Sequence, residues 1–584
     1  MNLHSIKTLI VFLVRNKVTL FLMMSAFLRT TISHGSNSNQ SKFLIDQLGY
    51  RPNDFKITFI KNENPGPFQI KQVNTNKIIF EGKADKIGMI DLATSDTVFD
   101  INFTKLVQPG EYYIFLPNLS AVSHPFKIGN DVYNNLAVNA LQSFYYQRCG
   151  IEINNGTIWK HPACHTENAV FFDNPALQKN VTGGWHDAGD YNKFVPTTAV
   201  SIAFMLYAYE YNPSFFTDHQ LNIPESNNSI PDILDEAKWG LNWLLKMQRN
   251  DGAVYHKVSI KVWTGEHLPN EETDQQFIFG ISSQSTADAA AVFALGARIF
   301  EKFNKQYSMK LLQSSISAWK FLALHPYNIP EGGFKNPDGV VGGEYNDPND
   351  LDERLWAAIE LYRVTGSDKY IKYFALNYKK VGGPNETISW QNTANFALYS
   401  FLNITPSTLT TDIRENILTN LKTYANNLLT KVESSGYRCA LSPDEYYWGS
   451  NSIDLGYAFD LINAYQFTNQ IKYLNCALDQ LHYLLGRNTF GISFVTGVGY
   501  NSVIYPYHQF SMLLTPGNPV PGMVVGGPNK FSRLNGNIIS NFPGACYEDN
   551  EKNYYVNEPA INYTAPLVFV ASFLADSKAS NEAQ

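Results

Sequence analysis

The feature that most limits what this chain can fold into is a single change of hydrophobic period. From Phe43 to Ile128 apolar and polar residues alternate in short runs, FLIDQ, KITFI, PFQIKQV, KIIFEG, TVFDINF, EYYIFLP and HPFKIG, with turn residues between them. About seven such runs predict a small all-β sandwich over residues 43–128. After Tyr133 the period becomes 3.6. Leu234, Ala237, Leu241, Leu244 and Leu245 line one helical face behind Pro231, as do Ala289, Val292, Phe293, Gly296, Ile299 and Phe300, and Leu355, Ala358, Ile359 and Tyr362. Helical segments recur to about Asp576 with no comparable series of strands, so residues 130–577 are expected to form one large all-α domain. A chain of 584 residues exceeds what one hydrophobic core usually organises, so length predicts two domains or one large barrel. No Pro/Ser/Thr-rich tether follows Ile128, so the sandwich should pack against the helices. Periodicity alone does not choose between a helical barrel and a solenoid.

The chemistry is concentrated at Gly183 to Phe194, GGWHDAGDYNKF. Asp187 and Asp190 stand one helical turn apart among glycines that let the backbone bend close to a ligand. Two carboxylates at this spacing can activate and orient a water. They equally suit a calcium loop or a helix start, and spacing does not decide among these. The net charge of -7 argues against nucleic acid or an anionic membrane as partner, and 14% aromatic residues suit stacking on neutral sugar rings.

GGWHDAGDY resembles the water-activating motif of glycoside hydrolase family 9, the inverting cellulases and their exo-acting relatives. The resemblance requires a partner acid far along the chain, and Tyr547 to Pro566, YEDNEKNYYVNEPAINYTAP, is similar to the family's C-terminal signature. It extends over nearly all of residues 43–577 through IPDILDEAKWGLNWLLKMQ (from Ile230), DGAVYHKV (from Asp251), STADAAAVFALGAR (from Ser285), YYWGSNS (from Tyr446), LLGRNTFGISFVTGVG (from Leu484) and PVPGMVVGGPN (from Pro519). FLIDQLGYRPND resembles the start of the immunoglobulin-like domain that precedes the catalytic domain in one branch. The resemblance implies an (α/α) six-hairpin barrel behind that sandwich, with a cleft formed by loops at one end. The sandwich is read as structural support.

Inverting hydrolysis needs an acid for the leaving oxygen and a base for water on the other face of the sugar, with carboxyls about 6.5 to 9.5 Å apart. By match to the family, Asp190 is the general base, Asp187 helps to hold the water, and Glu558 is the general acid. Trp185, Tyr191, Trp448 and Tyr563 lie within the matching motifs as candidate sugar contacts, each of which could instead be core. At Pro506 to Gln509 the chain reads PYHQ where the family's cellulases usually read PHHR. Tyr507 replaces the first histidine and His508 keeps the middle position, both counted as candidate sugar contacts, and Gln509 cannot mimic a forked guanidinium. Thr564 stands where the signature usually has asparagine. These departures bear on the preferred sugar.

Five cysteines exclude a full disulfide framework. The resemblance makes Cys149, Cys164, His165 and His186 a tetrahedral structural zinc set, with His161 in reserve and a Cys149 to Cys164 disulfide as the alternative. Cys439, Cys476 and Cys546 read as buried thiols. Asp347, Asp350, Asp352 and Glu353 crowd into YNDPNDLDERLW. They suit a helix N-terminus or calcium, and the family often binds calcium here.

Cations followed by the apolar run Val18 to Leu28 and then small polar residues read as a signal peptide over residues 1–35, hence a secreted protein. The earlier apolar piece Leu9 to Val14 leaves an uncleaved anchor as the alternative. The expectation is a secreted, monomeric endo-β-1,4-glucanase acting on cellulose, β-glucan or cello-oligosaccharides. An exo-acting β-glucosidase or glucosaminidase is the alternative within the fold. A sugar-binding protein without turnover is the alternative of another class, and acids at all three of Asp187, Asp190 and Glu558 speak against it.

Overall fold

The computed structural model describes residues 42–84, 88–407, 410–534 and 536–576. The segment read as a signal peptide lies outside them. The N-terminal domain is a sandwich of two sheets. One holds β1 (Phe43–Leu44), β3 (Ile57–Lys61), β7 (Thr97–Asn102) and β6 (Met89–Ile90) in that spatial order. The other runs β2 (Gly49–Tyr50), β10 (Phe126–Ile128), β8 (Gly110–Leu116), β4 (Pro67–Gln72) and β5 (Ile78–Lys83), with β9 (Ala121–Val122) paired to β8. All seven expected runs contain a strand. β8 alternates as its sequence does, burying Tyr112, Ile114 and Leu116 among Tyr50, Phe103 and Phe126. β3 does not alternate, because both of its faces are covered. Ile60 belongs to the sandwich core, whereas Ile57 and Phe59 join Leu44 and Val98 in the core of the helical domain. The sandwich is therefore docked on the helices through β1, β3 and β7 of one sheet, while edge strand β6 stays exposed.

The helical domain closes on itself. Its inner ring is α2 (Val195–Tyr211), α4 (Ser283–Phe300), α6 (Leu351–Thr365), α8 (Ala394–Leu402), α10 (Ser450–Thr468) and the last helix, α12 (Ile561–Leu574). Each packs on the next, and α12 packs on α2. Around them lie α1 (Asn134–Tyr146), α3 (Asp232–Met247), α5 (Lys305–Leu324), α7 (Asp368–Asn377), α9 (Thr411–Ser434) and α11 (Ile471–Leu484). This is a barrel of six helical pairs rather than a solenoid. α2 is buried from Val195 to Tyr209 on every face, and α4 and α12 are nearly so, because an inner helix has the ring on one side and an outer helix behind it. The apolar faces read from the sequence are real but incomplete there. Outer α3 keeps a wet face, with Leu234, Ala237, Leu241 and Leu244 inward and Asn242 outward.

The inner helices all start at the same end, so the segments just ahead of them gather there. Two of these connections, those ahead of α2 and α4, share a small sheet that the periodicity does not reveal, with strands of two or three residues at Ala169–Phe171, Gln178–Lys179, Lys193–Phe194, Lys257–Ser259 and Phe277–Ile278. It holds the loop bearing Asp187 and Asp190 through Lys193–Phe194, which pairs with Lys257–Ser259.

Candidate active site

The loop ahead of α2 is shaped by its neighbours before any ligand is considered. The amide of Cys149 donates to Gly184 O at 2.9 Å and that of His186 donates to Gln147 O at 2.8 Å, a short antiparallel pairing with the end of α1. Gly184 has a φ of +73°, and a Cβ there would lie 2.7 Å from the Trp243 ring. At Gly189 a Cβ would fall 2.1 Å from Tyr507 O, so only glycine lets the two chains pass. The Gly189 peptide is used at both ends. Its N–H donates to Glu558 Oε1 at 3.2 Å, and its carbonyl accepts from the Gln509 amide at 2.9 Å. The Ile561 amide donates to Asp187 O at 2.8 Å, fastening the start of α12 to the same loop. Residues almost four hundred positions apart are thus joined by hydrogen bonds.

Asp187 is buried, and hydroxyls of Thr197 and Tyr345 donate to its two oxygens, the latter at 2.7 Å. Burial pushes its carboxyl up to about 7 against the pull of those hydroxyls. Asp190 faces the cleft and accepts from Asn192, with Nδ2 at 2.6 Å from Oδ2. Burial pushes it up to about 6, with Asn192 opposing and the charge of Glu272 adding to the rise. Glu558 is part-buried on the opposite strand of chain. Burial, then the nearby charge of Asp190, raises it well above the ordinary glutamate value. A carboxyl kept protonated and another able to ionise on one cleft is the division of labour that acid–base hydrolysis requires.

The cleft has a volume of about 1110 Å³. It holds Asp187, Asp190 and Glu558 together with Trp448, Tyr507 and Tyr563. Three of the expected sugar contacts are elsewhere. Trp185 is fully buried, its indole N–H donating to Glu236 Oε1 at 2.7 Å. Tyr191 points its hydroxyl to His267 O at 2.5 Å and packs on His186, away from the cleft. His508 is buried with both ring nitrogens engaged, by Ser511 Oγ at 2.8 Å and Gln147 Oε1 at 3.0 Å. These are framework side chains. Motif position identified the loop but not which side of it each residue faces. Conversely, the cleft includes Trp263, Tyr345, Trp390, Tyr447 and Tyr554, which the sequence reading passed over. Trp263 is 54% exposed in a polar loop, a placement that periodicity could have flagged as a surface indole without a core to join.

Cys149, Cys164, His165 and His186 converge, each offering a ligand atom within 4.8 Å of the other three. Cys149 Sγ lies 3.7 Å from His165 Nδ1 and Cys164 Sγ lies 3.6 Å from His186 Nε2. The far nitrogen of His165 meets Glu272 Oε1 at 3.2 Å, and Lys193 Nζ lies 3.4 Å from Cys149 Sγ. All five cysteines are buried and unbridged, so the Cys149 to Cys164 disulfide is not formed. His161 is not part of the set: its Nδ1 engages Pro162 O.

A second cluster joins Asp347, Asp352 and Glu353. Asp350 is turned away into a forked pair with Arg354, Nε to Oδ1 at 2.8 Å and Nη2 to Oδ2 at 2.9 Å, because a guanidinium one turn along α6 captures it. Asp288 of α4, absent from the expected set, is buried and electrostatically linked to the others. Both oxygens of Asp288, both of Glu353 and Oδ2 of Asp347 have no N–H or hydroxyl partner among the described residues. Buried carboxylates in that state either keep protons or hold a cation.

A hydrolase of the helical-barrel kind is the class that this fold and this pair of facing carboxyl groups define. The family model for glycosyl hydrolase family 9 matches residues 133–571, and that for the cellulase N-terminal ig-like domain matches residues 38–120. The chain belongs to glycosyl hydrolase family 9 and is a glycoside hydrolase. It is 32% identical over 552 residues to Endoglucanase D of Acetivibrio thermocellus, covering 93% of this chain and 82% of the relative. A metagenome-derived family 9 endoglucanase superposes with a TM-score of 0.85 at 35% identity, covering 91% of this chain and 99% of the other. A Zn-binding triple mutant of the family 9 endoglucanase J30 gives 0.84 at 34% identity, covering 90% and 100%.

Proposed function

We propose that the protein is a secreted inverting endo-β-1,4-glucanase that hydrolyses cellulose, β-glucan or cello-oligosaccharides. In this reading Asp190 takes a proton from water, Asp187 orients that water, and Glu558 protonates the departing glycosidic oxygen. The observation that carries it is the Gly189 peptide, which donates to Glu558 while Asp190 follows it directly in the chain. Trp448, Tyr507 and Tyr563 are the proposed sugar contacts. Endoglucanase relatives support polymer as the substrate. Product analysis on reduced cello-oligosaccharides tests the reading: internal cuts giving α-anomeric products are expected, and β-anomeric products would rule out inversion. Release of only terminal glucose or glucosamine would favour the exo-acting alternative.

The sulfur-to-nitrogen distances of 3.7 and 3.6 Å support zinc at the first cluster. Zn–S at about 2.3 Å and Zn–N at about 2.0 Å, held at the tetrahedral angle, separate S and N by about 3.5 Å. Glu272 behind His165 supplies the carboxylate that orients a zinc-bound imidazole. With four protein ligands the metal would be closed to substrate and would pin the loop bearing Asp187 and Asp190 to the end of α1. Calcium is the cation proposed for Asp347, Asp352 and Glu353, hard oxygen donors of the kind it takes. Elemental analysis of the purified protein tests both, one zinc and one calcium per chain being expected. Residues 1–35 are proposed to direct export, which N-terminal sequencing of the exported protein checks, with the sandwich over 43–128 and the catalytic domain over 130–577 in a monomer.

A further inference from the structure

One side of the cleft is built by a loop that the assigned chemistry does not use. Trp263 and Glu266 both line the cleft, and the loop carrying them is held from beneath at His267. The His267 amide donates to Gln509 Oε1 at 3.0 Å, and its carbonyl accepts from the Tyr191 hydroxyl at 2.5 Å. Gln509 is fully buried, and its Nε2 has no partner among the described residues, so the bond to His267 is the one its side chain makes there. The Gln509 amide N–H meanwhile donates to Gly189 O. The residue that stands where a sugar-binding arginine is expected is therefore turned into the protein, and it ties the Trp263–Glu266 loop to Gly189, the residue whose N–H holds Glu558.

The charge that this loop brings is unbalanced. Besides its phenols, the cleft is lined by the carboxyls of Asp187, Asp190, Glu266 and Glu558 against, among the described residues, the single ammonium of Lys552. Glu266 is exposed and lies within electrostatic reach of Tyr507, whose phenol is raised by burial and then by Glu558, Asp190 and Glu266. With Glu558 protonated for catalysis, Glu266 and Asp190 still outweigh the one ammonium on the cleft.

We propose that Glu266 is a specificity-determining carboxylate: set at the cleft by Gln509, it turns the enzyme toward neutral or amine-bearing glycans and against those carrying carboxylates. Like charge repels an incoming carboxylated sugar, whereas hydroxyls and ammonium groups can donate to Glu266 while the ring stacks on Trp263. The inference rests on the hydrolase reading above but fails separately from it.

The test compares kcat/KM on hydroxyethylcellulose and carboxymethylcellulose of matched length and degree of substitution, for wild type and Glu266→Gln, at low and high ionic strength. Wild type should prefer the neutral polymer, and Glu266→Gln should lower that preference about threefold or more, the scale of one exposed charge acting over a few ångströms of solvent. Added salt should shrink the preference in wild type and change it less in the variant, since exposed charges are screened. Gln509→Met should speed hydrogen exchange at the His267 amide, with Gln509→Glu, which keeps the acceptor, restoring protection. A preference that Glu266→Gln leaves intact at both ionic strengths overturns the assignment. Failure of wild type to cut either polymer or any cello-oligosaccharide would instead remove the hydrolase reading itself.

Discussion

Replacing Glu558 by Gln is the most discriminating perturbation, because the structure shows why the damage should be confined to one proton. The Gly189 amide donates to Glu558 Oε1 at 3.2 Å, and a glutamine carbonyl can accept that bond in the same place. The loop bearing Asp187 and Asp190 is therefore expected to stay where it is. What disappears is the acid. General acid catalysis contributes about 10² to 10⁴ in rate, or about 3 to 5.5 kcal/mol of barrier at 1.36 kcal/mol per tenfold. Hydrolysis of cellopentaose should slow by that factor, while an activated dinitrophenyl cellobioside, whose leaving group departs unprotonated, should slow by less than about tenfold. The pH profile should change with it. On this assignment wild-type activity should rise as Asp190 ionises, through about pH 6, and fall once Glu558, raised by burial and by Asp190, loses its proton. In Glu558→Gln the acidic limb remains and the alkaline limb goes. The folded protein resists ionising this carboxyl, so at neutral pH a neutral glutamine should leave the melting temperature unchanged or higher. Equal losses on the two substrates, or an alkaline limb that persists, would refute the role of Glu558.

Asp190→Asn should remove the base for both leaving groups alike, cutting kcat on each by about 10² or more, and appreciable turnover on either would move the base elsewhere. Stripping the metal proposed at Cys149, Cys164, His165 and His186 should lower the melting temperature by several degrees with metal loss followed by elemental analysis; an unchanged melt with the metal gone would leave it without a structural purpose. Trp185→Phe deletes the indole N–H bonded to Glu236, a buried charged acceptor, and should cost about 1 to 3 kcal/mol of stability with KM unaltered. A KM that rises without a change in the denaturant midpoint would return Trp185 to the sugar site.

Much of the fold is readable because both domains obey simple periods, two in β8 and 3.6 in α3. The departures have a common cause, which is burial on more than one side. β3 loses its alternation where the helical domain covers its second face, and α2 loses its polar face inside the ring. Neither signal can be recovered from local sequence, since the covering residues belong to other elements: the helical domain for β3, and α3, α4 and α12 for α2. The site follows the same rule. Asp187 and Asp190 stand out locally, but nothing near Glu558 marks it as more than a loop acid, and only its resemblance to a known signature singles it out. Within the motifs the orientation is hidden: Trp185 and Asp187 are two residues apart in an irregular loop, and one faces Glu236 while the other lines the cleft. Asp350 and Asp352 divide likewise, one taken by Arg354 and the other left for the cluster.

Gln509 shows how far a substitution can be misread from composition alone. In the sequence it is a lost guanidinium, and so a weaker grip on sugar. In the fold its side chain is buried beneath a loop that carries an indole and a carboxylate to the cleft, and its backbone N–H donates to the carbonyl of Gly189, whose own N–H touches Glu558. An arginine at 509 could not occupy this position as glutamine does: guanidinium has no acceptor to offer the His267 amide, and its charge would be buried with no described carboxylate bonded to the Gln509 side chain to receive it. The exchange therefore changes the geometry and the charge of one wall together. It follows that restoring arginine alone should not restore the sugar contacts of an arginine-bearing cleft, because the His267 anchor would be lost in the same step.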